Sequence, residues 1–62
     1  MKKYRVVLLD FTRPGNNKIV WTKYADGIRN ARNLAPIRCH YSSAAKCFQG
    51  WKDNKQIIIS EI

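Results

Sequence analysis

The spacing of Ala44, Cys47, Phe48 and Trp51 is the feature that most restricts what this chain can fold into. At i, i+3, i+4 and i+7 these residues form one apolar stripe on a helix of 3.6 residues per turn, with Ser43, Lys46 and Gln49 on the opposite side. Ser42 precedes the stripe, and its hydroxyl is suited to accept a bond from an N–H of the first turn. The spacing predicts a packing helix over 42–51.

The apolar residues outside this stretch fall in dense runs, Val6–Leu9, Ile19–Trp21 and Ile57–Ile59, which a disordered chain would lack. With 62 residues the expectation is a single small domain, 1–62, that buries a modest share of its surface.

Taken in order, Tyr4–Phe11 is rich in Val, Leu and aromatics on both alternating sets, which predicts a strand covered on both faces. Thr12–Asn17 contains Pro14-Gly15, the pair that suits a type II turn. Lys18–Tyr24 then alternates as a second strand, giving an N-terminal β-hairpin with a basic, protruding tip. Ala25-Asp26-Gly27 fits either a hairpin turn or a helix start with Asp26 as cap. The recurrence of Ile28, Ala31, Leu34 and Ala35 favours a helix over 27–34, ended by Pro36. Ile37–Tyr41 alternates as a short strand, the 42–51 helix follows, Lys52-Asp53-Asn54 turns, and Lys55–Ile62 closes as a strand. The expected fold is α+β, in the order β-β-α-β-α-β. About four strands would form a mainly antiparallel sheet, with one or two helices on one face. Strands followed by a helix carrying Ala44, Cys47, Phe48 and Trp51 are similar in element order to the sheet-reading DNA-binding domains of some integrases. That resemblance is one of order, spans part of the chain and carries no motif.

Twelve Lys and Arg face four Asp and Glu, a formal charge of +8, which favours polyanionic or acidic partners. A solvated basic surface that serves solubility alone is the plainer reading. Arg29-Asn30-Ala31-Arg32-Asn33 is the most suggestive stretch. On a helix it would present Arg29, Asn30 and Asn33, flanked by Arg32, away from Ile28 and Ala31. Arg pairs with guanine and Asn with adenine through two hydrogen bonds each, so this is the face a groove-reading helix would carry. A polar surface helix in contact with water alone has the same pattern. Arg13, Lys18 and Arg38 are the expected phosphate contacts. Most aromatic residues are expected in the core, with Tyr24 and Tyr41 the ones that reach solvent.

Other chemistry finds little support. Cys39 and His40 are adjacent in an expected strand and point to opposite faces, and no CxxC pair completes a zinc set with Cys47. Cys39 and Cys47 are expected as small buried hydrophobes with free thiols. His40 has no carboxylate nearby in sequence to orient it, and Gly15, Gly27 and Gly50 are isolated, so neither a catalytic triad nor a phosphate-cradling loop is expected. The apolar run Val6–Leu9 is too short for a signal-peptide core or a membrane span, which predicts a cytoplasmic protein. The expectation is therefore a non-enzymatic nucleic-acid-binding accessory or regulatory protein without cofactor or metal, preferring DNA over RNA and able to pair as a homodimer. The alternative is a small inhibitor or adaptor, such as a phage-encoded modulator of a host protein, docking on an acidic surface.

Overall fold

Two eleven-residue strands, β1 (Lys3–Arg13) and β2 (Asn16–Asp26), open the chain as an antiparallel hairpin. A computed structural model describes residues 2–13 and 16–62, and the side chains of Arg13, Asn16 and Asn17 lie outside what it describes, as does the Pro14-Gly15 turn expected from the sequence. Among the described residues there follow α1 (Ile28–Leu34), β3 (His40–Ser42), β4 (Cys47–Lys52) and β5 (Lys55–Glu61). The five strands form one antiparallel sheet in the order β2-β1-β5-β4-β3. The long-range step is β5, which returns to pair with β1 and so places β1, β5 and β4 inside the sheet, with β2 and β3 at its edges.

The pleat sorts side chains between two faces. On one face Val6 pairs with Ile59 and Leu8 with Ile57, and Phe48 and Gly50 on β4 continue the same two rows. Val6, Leu8, Ile57 and Ile59 are buried together with Ala31 of α1 and Cys39. Fully burying a Val, Leu or Ile is worth about 1.5–3 kcal/mol, so these few residues hold most of the fold. The segment after α1 crosses this face directly above Gly50. A Cβ there would overlap the Arg38 carbonyl oxygen and lie 3.1 Å from the Cys39 sulfur, so only a glycine lets the backbone pass.

Helix α1 forms where the periodicity placed it, and Ala35 leaves it in extended backbone (φ −77°, ψ 125°) before Pro36. Its cap differs from the expectation. Gly27, not Asp26, holds the N-cap position at φ 81°, ψ 151°, a region open to glycine, and no side chain bonds the cap. Asp26 contributes its main-chain carbonyl instead, which accepts a bond from Asn30 Nδ2 at 2.8 Å.

The predicted helix over 42–51 does not form, and with it goes the β-β-α-β-α-β order: the described chain is β-β-α-β-β-β, with five strands and one helix. Ser42 does accept a bond from the Ala45 N–H (3.3 Å), the interaction expected of a helix cap. The turn it starts ends at Lys46, whose φ of 56° is left-handed, and the chain enters β4. Phe48 and Gly50 then share one face and Cys47, Gln49 and Trp51 the other. The i, i+3, i+4, i+7 stripe is split between them. Sheet pairing wins for two reasons. Gly50 costs about 1 kcal/mol in a helix, and Asp53 (φ 50°) and Asn54 (φ 62°) make the two-residue turn with both φ positive that suits a tight β-hairpin. Losing the helix also removes the element order shared with integrase DNA-binding domains. The strand expected at Ile37–Tyr41 is likewise displaced to His40–Ser42, because Ile37 and Cys39 are drawn over the core.

Candidate nucleic-acid interface

Helix α1 presents Arg29 and Arg32 one turn apart, and the crossing segment brings Arg38 alongside them. Arg29, Arg32, Asn33 and Arg38 line one open cleft of about 550 Å³, floored by Ile28, Ile37 and Cys39. Among the described residues no carboxylate lines it. The Arg32 guanidinium lies 5.6 Å from the centre of the Phe48 ring, and Phe48 meets Tyr41 edge-on at 5.2 Å. Stacking on an aromatic face holds a guanidinium in place while leaving its N–H groups free for an acceptor. Burial pushes the Cys39 thiol upward in pKa, and the Arg32 charge beside it works in the opposite direction. Cys39 Sγ donates to the Ile37 carbonyl at 3.3 Å, which suits a packed thiol.

Strand register builds a second basic group. Lys18 pairs with Asp10, Asp10 with Lys55, and Lys55 with Lys52, so one row crosses β2, β1, β5 and β4. At about 4.8 Å per strand the row spans roughly 14 Å. It lies on the same face as α1, beyond the last core pair, Leu8 and Ile57. Lys23, on that face of β2, sits 4.5 Å over the Trp21 ring. Asp10 is held below its ordinary carboxylate value of 3.8, first by the Thr12 hydroxyl, then by the Thr12 N–H (2.8 Å) and by Lys55 and Lys18.

Arg38 connects the two groups. Besides the first cleft it lines a second, smaller depression of about 470 Å³ that is also lined by Lys52 and Trp51. Arg38 thus borders both depressions, and Lys52 belongs both to the second depression and, through its pairing with Lys55, to the row that continues through Asp10 to Lys18. Asp10 lies in the row and Asp53 in the adjoining turn. Glu61 lies on the opposite end, where it meets Lys2 at 3.6 Å.

Of the residues expected to form a site, Arg29, Arg32, Asn33 and Arg38 come together, and Lys18 joins them through the lysine row. Asn30 does not line that cleft, and its Nδ2 donates to the Asp26 carbonyl instead. The Arg13 side chain lies outside the described residues. Lys52 and Lys55 were not singled out from the sequence. Their signal was the two-residue turn Asp53-Asn54, which sets them opposite each other. Tyr24 and Tyr41 reach solvent as expected, and Trp51, expected in the core, is exposed as well. Cys39 is buried as expected, whereas Cys47 is half-buried on the other face of the sheet. Among the described residues, no three His, Cys, Asp or Glu side chains gather as a metal-binding set, and no helix is long and apolar enough to cross a membrane.

Fold and composition together define a small basic antiparallel-sheet domain with one short helix among the described residues. No protein-family model matches the chain, and comparison with curated proteins and with solved structures finds no match for it.

Proposed function

We propose that this chain is a small, non-enzymatic, cytoplasmic nucleic-acid-binding protein with an accessory or regulatory role, which follows a phosphate backbone along a cationic track. The supporting observation is the position of Arg38, which lines both depressions and joins the helix arginines to the lysine row. Lys18, Lys52, Lys55 and Arg38 neutralise phosphates, while Arg29, Arg32 and Asn33 stand where base edges or further phosphates would lie. Duplex DNA is the expected ligand ahead of RNA, because it offers the helix a groove wide enough to enter.

A salt titration of binding to mixed-sequence duplex DNA tests this. Each neutralised phosphate contributes about 0.9 to the log–log slope, so the double variant Lys52→Ala/Lys55→Ala should flatten it by about 2. An unchanged slope would remove the lysine row from the interface, and undiminished affinity in Arg29→Ala/Arg32→Ala would remove the helix. Absence of binding at low salt would transfer the track to an acidic protein partner. For that second reading β2 is suited, since it is an outer strand whose Ile19 and Val20 are 60% and 49% exposed and whose edge can accept a partner's strand.

A further inference from the structure

The face of the sheet opposite α1 is covered by no element among the described residues. Alternation and register place Val7, Leu9 and Phe11 of β1 there, beside Ile58 of β5, Ile19 of β2 and Trp51 of β4. Ile19 and Trp51 are 60% and 61% exposed, and the Trp51 ring packs on Phe11 at 5.1 Å. Between them lie uncharged groups, Thr22, Gln49, Gln56 and Ser60. Among the described strand side chains, the charged residues on this face are Lys3, Arg5 and Asp26, all at one end, with exposed His40 at the β3 edge.

We infer that this face is a self-association surface, on which two copies of the chain pack sheet against sheet about a two-fold axis. Charge selects the occupant. Each copy carries +8, yet most of its cations are on the α1 face, in α1 or in turns. The open face is therefore where two such molecules can meet without their cations converging. It is also the face that offers a polyanion least. A two-fold arrangement sets the same apolar patch against itself, and sheets packed this way sit about 10 Å apart with their side chains interdigitated. Five strands about 4.8 Å apart and some six residues deep present on the order of 400 Å² in projection, to which side-chain relief adds. Stable interfaces use about 800 Å² per partner, so the dimer belongs to the weaker class. In the dimer both cationic tracks face outward, so the inference does not depend on what they bind.

The test is sedimentation equilibrium on the full chain without nucleic acid, from about 10 µM to about 1 mM, a range suited to a weak dimer. A monomer–dimer equilibrium is expected. It should tighten between about 0.1 M and about 0.5 M salt, because salt screens the repulsion between the copies. Ile19→Lys/Trp51→Lys, a change at two side chains already more than half exposed, should leave the circular dichroism unchanged and abolish the dimer. If that variant loses its fold, Tyr24→Lys at the rim of the same face should weaken the dimer of an intact protein. Wild-type protein that stays monomeric throughout, or variants that dimerise undiminished, would overturn the inference. Because Trp51 also borders the depression lined by Arg38 and Lys52, the duplex slope is read on wild-type protein and the dimer on the variants, so the two readings fail separately.

Discussion

Gly50 shows how a single position can decide the local architecture. The crossing segment rests on it so closely that any side chain meets the Arg38 carbonyl oxygen, a backbone atom with little room to yield. Gly50→Ala is expected to cost about 1–3 kcal/mol in urea denaturation, in line with overpacking of a tight site. Because Arg38 would be displaced, the variant should also weaken anion binding. Asp10 makes a second residue-scale prediction. Its pKa is depressed in the folded chain, so its contribution to stability is present above its ordinary value of 3.8 and is lost as pH falls through the lowered one. Thr12→Val removes the largest cause, the hydroxyl bond. It should move the Asp10 titration, followed by NMR, upward toward the ordinary carboxylate range.

Among the elements, β4 and α1 show opposite outcomes of the same kind of inference. Both were expected as helices from apolar residues spaced three and four apart. In α1 the spacing agrees with its surroundings: Ala31 lands on Val6, Leu8, Ile57 and Ile59, and Pro36 stops the helix where the pattern ends. In 42–51 the same spacing is compatible with a strand, since residues i, i+3, i+4 and i+7 include members of both alternating sets. Gly50 and the Asp53-Asn54 turn that pairs this segment with β5 decide between them, and the turn lies just outside the 42–51 window. Lys46 distinguishes the two states experimentally. In a helix Lys46→Gly would destabilise by about 1 kcal/mol. In the observed turn, where Lys46 holds φ 56°, it should stabilise by roughly 0.5–1 kcal/mol by relieving left-handed strain. Thermal denaturation reads the sign directly.

For the whole molecule, segregation is what matters: cations gather on the face that carries α1, and uncovered apolar side chains on the other. The two faces should respond to salt in opposite directions. Affinity for duplex DNA is expected to fall steeply with salt, whereas self-association is expected to rise, and both can be followed on one preparation by fluorescence anisotropy and sedimentation. Local chemistry was enough to determine the strands of the N-terminal hairpin, the short helix before Pro36, the final strand and the net charge of +8. Those depend on alternation, on proline and on net charge, which act within a few residues or over the chain as a sum. Tertiary structure decided that Arg38 is brought beside Arg29 and Arg32 and that Lys18 and Lys55 align through Asp10. Each of those depends on which distant segments pair, and strand register is settled by burial of Val6, Leu8, Ile57 and Ile59 together, a free energy that no single segment of the chain possesses alone.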